Sequence, residues 1–292
     1  MNVDIVIPVY NQRESLLLTL EGFRKQIGNN KLHIIVVDDG SKEKVSEIVD
    51  RFCDLDITYV YQDNGGRAKA RNTAMKYAVT DFVIFNDADR IPETYFVEKH
   101  MQRIIKADVI CIGRLKEVYF TNIEKHLQAI WDTIQNDGRL AREPRHSKNV
   151  DYLYDEYGKC MSVLPWISTY SGNMSMRREA FEKVGGFDEN FKTWGFEHFE
   201  FGYRLYKANV EFIREREAIN YHLAHRRDKN FYWESIVNSH KYFYEKFSSK
   251  EILLLKRYML GEISLQQYER MVAGEIKWGN STTKELFISL KD

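Results

Sequence analysis

The first third of the chain alternates short apolar runs with segments of helical period. From Leu16 to Ile27, apolar residues recur at spacings of four, three and four, which predicts one apolar helix face. Runs rich in β-branched residues predict buried strands, and they lie at 3–9, 32–37, 57–61 and 81–85. Strands that alternate with helices form a parallel sheet covered on both faces. We therefore predict an α/β fold with a mostly parallel sheet flanked by helices.

Local signals predict where these elements begin and end. Pro8 ends the first strand, and Asn11 caps the following helix, with Glu14 completing a capping box. Ser41 is predicted to cap the second helix. The third helix is predicted over 67–79.

Polar loops follow the predicted strands at one edge of the sheet. Right-handed crossovers bring the carboxyl ends of parallel strands together, and ligands bind there in open α/β sheets. Asp87 and Asp89 follow the strand 81–85, and residues i and i+2 of an extended backbone point to the same side. Two such carboxylates favour a hard divalent cation that carries a phosphate-bearing ligand. An ordinary turn is the alternative, because Asp is common in turns.

The loops at 38–41 and 64–66 extend this edge. Asp39 can accept a hydrogen bond from a nucleobase, and the glycines of 64–66 let the backbone approach a ligand. The next helix begins with basic residues, of which Lys69 and Arg71 can neutralise a phosphate. A solvated helix face is the alternative for this basic run.

Taken in order, these loops resemble the signature of family 2 glycosyltransferases. The resemblance rests on residues 7–11, 37–41, 64–66, 70–72 and 87–89. It implies the A-type glycosyltransferase fold and a UDP-sugar donor bound with Mn²⁺ or Mg²⁺. It also implies that Asp87 and Asp89 bind the metal. The positions that it assigns to the nucleotide are Pro8, Tyr10, Asp39, Asn64, Arg71 and Asp87.

The second half carries further predicted elements and one irregular segment. Strands are predicted at 108–115, 166–176 and 210–213, and helices from 177 to the glycines 185–186 and over 197–207. Residues 120–165 are rich in aromatic and basic side chains, which is typical of substrate loops or of surface packing. Glu197, Glu200 and Arg204 share one helix face. Acids in a first helical turn are also stabilised by the helix dipole, which is a structural interpretation of both glutamates.

A second resemblance covers part of this half. Gly172, Asn173 and the Trp194-Gly-x-Glu197 motif resemble the acceptor half of chondroitin-polymerase-type and β-1,4-galactosyltransferase-type enzymes. The resemblance implies acceptor contacts at Gly172, Asn173 and Trp194. An Asp taken as the catalytic base follows the motif in those enzymes, but His198 stands there in this chain. Histidine and glutamate can both remove a proton, so Glu197 and His198 stay open as the base.

The same relatives have a Tyr-His pair that supplies a third metal ligand. The corresponding pair in this chain is Tyr221-His222, which implies that His222 binds the metal. His225 is the alternative ligand, and a packed structural histidine is the other interpretation.

Composition narrows the partners and the cellular compartments that we expect for this protein. The 43 basic and 43 acidic residues cancel, so no nucleic-acid partner is expected. Cys53, Cys111 and Cys160 show no disulfide or zinc spacing, which fits a reducing compartment. The chain shows no signal-peptide pattern and no apolar run near the about 18 residues that span a bilayer. We expect a cytoplasmic protein and leave peripheral membrane association open.

The chain divides into three predicted segments. Residues 1–115 form the nucleotide-sugar-binding half, 116–228 the acceptor-binding and catalytic half of the same domain, and 229–292 a helical extension. In the extension, Ser264 is predicted to cap a helix that reaches Ala273. The extension could wrap the catalytic domain, form a homodimer contact or cradle the acceptor.

The sequence thus predicts a metal-dependent inverting glycosyltransferase, of the hexosyl or N-acetylhexosaminyl type. It would transfer a sugar from a UDP-sugar to a hydroxyl of a glycan or glycosylated acceptor. A sugar-nucleotide-binding protein without turnover is one alternative. A nucleotidyltransferase is the other, although residues 8–11 lack the glycine-rich, lysine-bearing loop that it needs.

Overall fold

The computed structural model describes residues 1–120, 122–136, 138–192, 195–224 and 229–275, with side chains throughout except at 229–232. Within these ranges, eight strands form one sheet in the order β3-β2-β1-β4-β7-β6-β8-β5. The strands are β1 Asn2–Val9, β2 Lys31–Asp38, β3 Asp56–Tyr61, β4 Phe82–Asn86, β5 Arg90–Pro92, β6 Val109–Tyr119, β7 Asn173–Arg177 and β8 Glu211–Ala224.

The strand directions place the site. Strands β1 to β4 are mutually parallel, so their carboxyl ends share one edge. Strand β7 runs antiparallel to both β4 and β6 and joins the parallel pair β6–β8 to the first four strands. The short β5 pairs antiparallel with β8 and brings residues 90–92 beside 220–222. The predicted boundary at 115/116 falls inside β6, and one sheet carries strands from both halves.

Helices cover both faces of the sheet, as predicted. They are α1 Arg13–Arg24, α2 Ser46–Val49, α3 Arg67–Met75, α4 Phe96–Ile104, α5 Leu127–Gln135, α6 Arg145–Asp151, α7 Arg178–Val184, α8 Glu197–Lys207, α9 Lys229–Phe247, α10 Lys250–Met259 and α11 Leu265–Val272. Successive residues of β1 point to opposite faces, so Ile5 and Ile7 pack in one core and Val6 packs in the other. None of the described helices is both long enough and apolar enough to cross a bilayer.

The helices α9 to α11 pack on the same face of the sheet as α8. Phe243 of α9 stacks edge-on against Trp166, with ring centroids 5.8 Å apart, and Tyr268 of α11 is fully buried in the same core. Ser264 caps α11 in a full capping box with Gln267, as the sequence predicts. This part of the extension therefore wraps the rest of the molecule, which was one of its three interpretations.

Several predicted boundaries are wrong because tertiary contacts override local signals. Pro8 lies inside β1, paired with Val37, and β1 ends one residue later. Neither Asn11 nor Ser41 caps a helix, because their polar atoms bond to each other's loops. The predicted strand 166–176 begins with a 3-10 turn and is extended only over β7. The strand predicted at 210–213 is much longer than expected, because β8 runs over Glu211–Ala224, so His222 lies on a strand.

Candidate functional site

The loops after β1 and β2 are bonded to each other at the carboxyl edge of the sheet. The backbone N–H of Asn11 donates to Ser41 Oγ at 2.9 Å, and the N–H of Lys42 donates to Asn11 Oδ1 at 2.9 Å. Asn11 adopts a left-handed backbone with φ of 51°, which Asn tolerates better than most residues. Tyr10 projects from this loop and is about half exposed, whereas Pro8 is buried. Tyr10 is thus the better placed of the two to touch a nucleotide through its side chain.

Asp39 holds the third loop closed. Its carboxylate accepts hydrogen bonds from the N–H groups of Gly65 and Gly66, both at 2.8 Å, and from Gln62 Nε2 at 2.6 Å. Asn64 Nδ2 donates to the carbonyl of Asp39 at 2.9 Å. The predicted nucleotide residues Asp39 and Asn64 are therefore neighbours, but Asp39 is almost fully buried and already bonded.

Asp87 and Asp89 lie in a turn between β4 and β5, so the extended geometry expected for them is wrong. The turn is closed by the N–H of Arg90, which donates to the carbonyl of Asp87 at 3.1 Å. A turn aims its side chains in different directions, and the two carboxylates accordingly have different partners. Asp87 contacts arginines, and Asp89 contacts Gln12 and His222.

Arg71 links Asp87 to the helix α8. Its Nη2 lies 2.8 Å from Asp87 Oδ1, and its Nη1 lies 3.2 Å from Glu197 Oε1. Burial raises the pKa of Asp87, but Arg71 and Arg90 outweigh it and hold that pKa below its usual value. Arg71 is only 1% exposed. Its charge is shared between the partly exposed Asp87 and the buried Glu197, and its predicted contact with the nucleotide stays a prediction.

Asp89 and His222 form the second charged pair of the site. His222 Nε2 lies 3.6 Å from Asp89 Oδ2, and Gln12 Nε2 donates to the same oxygen at 2.6 Å. Burial lowers the pKa of His222, but the neighbouring carboxylates Asp89 and Glu117 raise it above its usual value overall. Two of the three predicted metal ligands are thus brought together, while Asp87 is held by arginines.

The donor atoms of this pair fit a divalent cation. Ligands at adjacent positions of an octahedral ion, with bonds of about 2.1 Å, lie about 3.0 Å apart. The observed 3.6 Å is close to that separation. Within the described residues, no group of three or more His, Cys, Asp or Glu side chains is already arranged to hold a metal ion. Metal binding at Asp87, Asp89 and His222 stays a prediction.

The predicted catalytic residues begin α8. Gly195 and Phe196 adopt left-handed backbones with φ of 87° and 69°, and this sharp entry places Glu197 and His198 in the first turn. His198 Nδ1 lies 3.7 Å from Glu197 Oε1. Burial raises the pKa of Glu197, but His198 and Arg71 hold it far below its usual range. Glu197 is therefore a persistent carboxylate with little tendency to take up a proton.

The structure places the predicted acceptor residues in different surroundings. Gly172 lies against Asp87, and a Cβ there would meet Asp87 Oδ2 at 2.2 Å, so only glycine fits. Asn173 is 1% exposed, and its amide donates to the carbonyls of Arg114 and Ala218 and to Asn220 Oδ1. Asn173 thus holds neighbouring strands together beneath the site, and its side chain is not exposed to solvent. Trp194 lies outside the described residues.

Three further residues of the site were not predicted. Gln12 contacts Asp89, Arg90 contacts Asp87, and Glu117 contacts His222. The position of Arg90 directly after the Asp-x-Asp pair is a signal that could have been used. Nothing in the sequence pattern marks Gln12 or Glu117, because each reaches the site through long-range pairing.

A cavity of about 560 Å³ lies away from this site. It opens at the amino ends of β1 to β3, where His33 bridges Asp4 Oδ1 at 2.6 Å and Thr58 Oγ1 at 2.9 Å. That edge is opposite to the one where ligands bind in parallel sheets. We therefore interpret the hydrogen bonds of His33 to Asp4 and Thr58 as stabilising the amino-terminal edge of the sheet.

The fold and site correspond to a known class of transferase. Residues 4–185 match the family model described as Glycosyl transferase family 2, and residues 155–226 match one described as N-terminal domain of galactosyltransferase. The first match covers more than half of the chain. The chain therefore belongs to glycosyltransferase family 2, which displaces the nucleotidyltransferase alternative.

Particular relatives agree with this class. The chain is 29% identical to the chondroitin synthase of Escherichia coli, over 91% of this chain but only 42% of that protein. S. aureus TarS 1-349, in complex with UDP-GlcNAc, superposes with a TM-score of 0.60 at 18% identity, covering 94% of this chain and 80% of that one. The mannosyltransferase PcManGT from Pyrobaculum calidifontis, in complex with GDP-Man and Mn²⁺, gives 0.61 at 17% identity, covering 93% and 73%. These structural likenesses confirm the predicted A-type glycosyltransferase fold.

Proposed function

We propose that this chain is a metal-dependent inverting glycosyltransferase that moves a sugar from a UDP-sugar to a hydroxyl of a glycan or glycosylated acceptor. The observation that carries the proposal is the linked arrangement at the sheet edge. Arg71 joins Asp87 to Glu197, while Asp89 lies beside His222. Candidate metal ligands and a candidate base thus occupy one continuous polar site.

Asp89 and His222 would hold Mn²⁺ or Mg²⁺, with Asp87 as the third candidate ligand. When bound, the ion neutralises the negative charge that develops on the departing diphosphate. An imidazole nitrogen suits transition metals better than Mg²⁺, so we expect Mn²⁺ to be preferred. The donor class is supported by the solved neighbours, one described with UDP-GlcNAc and one with GDP-Man and Mn²⁺.

His198 is the base that the geometry favours. Glu197 is kept ionised by Arg71 and His198, and a group with a strongly lowered pKa is a weak proton acceptor. Its carboxylate can instead accept the Nδ1–H of His198, which leaves Nε2 to take a proton from the acceptor hydroxyl. The hydroxyl oxygen then bonds to the anomeric carbon, the bond from that carbon to the diphosphate oxygen breaks, and the proton ends on His198.

The test is release of UDP from a panel of UDP-sugars in the presence of Mn²⁺. The Asp89→Asn variant should lower the rate by about 100-fold or more, since a charge-stabilising group is lost. The exposed residue Asp108, just before β6 at the opposite edge of the sheet, supplies the control, and Asp108→Asn should retain the rate. Binding without UDP release would favour a sugar-nucleotide-binding protein, and a wild-type rate in Asp89→Asn would remove the metal assignment.

Because the chain spans about two fifths of the chondroitin synthase that it matches, the activity of the whole protein is part of this proposal. A cytoplasmic location, peripheral membrane association and a homodimer also stay predictions. The proposed partners are a nucleotide sugar and a glycan acceptor.

A further inference from the structure

We infer that Glu117 orients His222 for metal binding and so acts as a positioning residue of the metal site. This inference rests on the proposed function, because it concerns the ion proposed at Asp89 and His222. It starts from the sheet register. Strands β6 and β8 are parallel, and Glu117 is the direct partner of His222 in that pairing.

The two nitrogens of His222 face two different carboxylates. Nδ1 lies 3.4 Å from Glu117 Oε1, and Nε2 lies 3.6 Å from Asp89 Oδ2. The ring nitrogens point outward in different directions, so Glu117 and Asp89 lie on different sides of the imidazole. A carboxylate that accepts the Nδ1–H fixes the tautomer in which Nε2 presents its lone pair. That lone pair is directed toward Asp89, where the cation is proposed.

Glu117 is itself held in place. Tyr119, two residues along β6 and on the same face, donates its hydroxyl to Glu117 Oε2 at 2.5 Å. The backbone of Glu117 is paired with Arg142 through two hydrogen bonds of 2.7 and 2.9 Å. The Glu117 side chain is 15% exposed. Oε1 is thus available to the imidazole while Oε2 is occupied, which is the arrangement expected of an outer-shell carboxylate.

An alternative is that Glu117 binds the cation itself. The geometry disfavours it, because the imidazole ring lies between Glu117 and Asp89. A direct ligand would have to leave both His222 and Tyr119. A positioning Glu117 acts only through His222, whereas a Glu117 that binds the cation directly does not need it. A pair of substitutions can therefore separate the two roles.

The experiment is a titration of the full chain with Mn²⁺, in which the free ion is followed by electron paramagnetic resonance. Glu117→Gln should weaken Mn²⁺ binding by about 10-fold to 100-fold, the usual cost of losing an outer-shell partner. It should also shrink the Mn²⁺-induced rise in melting temperature. Tyr119→Phe removes only the support of Glu117, keeps the carboxylate and should weaken binding a few-fold, about 2-fold to 5-fold.

Glu143→Gln is the matched control. The Glu143 carboxylate accepts from Arg114 at 2.6 Å and does not belong to the Glu117–His222 chain. This variant should bind Mn²⁺ like the wild type.

The decisive comparison uses His222→Ala. In that background, Glu117→Gln should have no further effect on Mn²⁺ affinity, because Glu117 acts through the imidazole. Wild-type affinity in Glu117→Gln, or an equal loss in the His222→Ala background, would overturn the inference and leave the proposed function intact. A wild-type chain that releases UDP only with Mn²⁺ supports the proposed function separately. If the wild type binds no Mn²⁺, both the metal site and the role of Glu117 are overturned.

Discussion

Arg71 shows how a single side chain can fix the relation between two halves of a site. It contacts Asp87 at the end of β4 and Glu197 at the start of α8, residues that are far apart in the sequence. Arg71 and Glu197 are buried in this triad while Asp87 is partly exposed, and removing Arg71 would leave the Glu197 charge with fewer partners, which is unfavourable in a buried site.

The first prediction concerns the removal of that charge. Arg71→Met should lower the free energy of unfolding by about 2 kcal/mol at pH 7, because the buried Glu197 and the partly exposed Asp87 each lose one of their counter-charges and keep only His198 and Arg90. The deficit should shrink below about pH 4, where both carboxylates protonate in the unfolded chain and can do so in the native variant. Urea denaturation at pH 7 and pH 3 measures both values.

Lys76→Met, at the exposed carboxyl end of the same helix, is the control, and it should change the free energy of unfolding by about 0.5 kcal/mol or less. A deficit for Arg71→Met that grows as the pH falls would contradict the assignment of Arg71 as the counter-ion of Asp87 and Glu197.

The second prediction separates the two candidate bases. His198→Ala should lower kcat for sugar transfer by about 100-fold to 10,000-fold, with little change in the KM for the donor, since a proton acceptor is lost. Glu197→Gln should cost less, because an amide oxygen can still accept the Nδ1–H of His198. Steady-state kinetics with a transferable acceptor measure both. A larger loss in Glu197→Gln than in His198→Ala would assign the base to Glu197. Lys207→Gln, at the exposed end of α8, should be silent.

At the scale of elements, a buried histidine joins helix α4 to strand β7. His100 Nε2 donates to Asn173 Oδ1 at 2.9 Å, and Nδ1 accepts the hydroxyl of Ser175 at 2.8 Å. The bond in which Nδ1 accepts requires a neutral imidazole, whereas the Nε2–H bond to Asn173 does not. Burial is the main cause that lowers the pKa of His100 from 6.5 to about 4.

The third prediction is the pH dependence that follows. Below pH 6.5 the unfolded chain binds a proton at His100 that the native chain does not bind, down to about pH 4. The contribution of His100 to the free energy of unfolding is therefore complete above pH 6.5. Each pH unit below 6.5 removes about 1.4 kcal/mol of it. His100→Gln should abolish this pH dependence of the free energy of unfolding. Urea denaturation between pH 7 and pH 4 measures it. The exposed His126 is the control, and a slope equally reduced in His126→Gln would contradict the prediction.

At the scale of the whole molecule, an ion network attaches α9 to the segment that contains Asp188 and α8. Lys246 of α9 lies 2.6 Å from Asp188 and 2.9 Å from Glu200, and Arg204 bonds to both carboxylate oxygens of Glu200. Glu200 is fully buried in this network. It therefore anchors α8 against α9 through ion pairs, and the helix-dipole stabilisation predicted for this glutamate stays a prediction.

The fourth prediction tests this attachment. Burial raises the pKa of Asp188, but bonds from Lys246, Asn190 and Tyr242 lower it from 3.8 to about 2. The stabilisation is present above the unfolded value of 3.8 and is lost as the pH falls toward about 2. Asp188→Asn should thus lower the free energy of unfolding by about 2 kcal/mol at pH 7, and progressively less below pH 4.

Denaturation curves at pH 7 and pH 3 measure this difference. Asp54→Asn, in the exposed ion pair with Arg24, is the control and should leave the curves nearly unchanged. An Asp188→Asn deficit that is constant with pH would show that the carboxylate charge is not the stabilising element.

The sequence predicted those features that depend on local pattern. The apolar periods identified the sheet and its helices, and the bounds of α8 and the cap of Ser264 came from residues within one turn of each other. The sequence did not predict the partners of Asp87 and Asp89. The prediction treated residues 87–89 as extended backbone, but they form a turn. Glu117 and Arg71 acquire their roles through contacts more than 100 residues away in the sequence, to His222 and Glu197. Such contacts leave no periodic signal.

The Asp39 carboxylate holds the 62–66 loop against the sheet edge through hydrogen bonds within the chain itself. A loop that orders only around its ligand loses part of the binding free energy to conformational entropy. Here that ordering belongs to folding instead. A nucleotide that bound at this edge, as proposed, would therefore spend less of its binding free energy on ordering this loop.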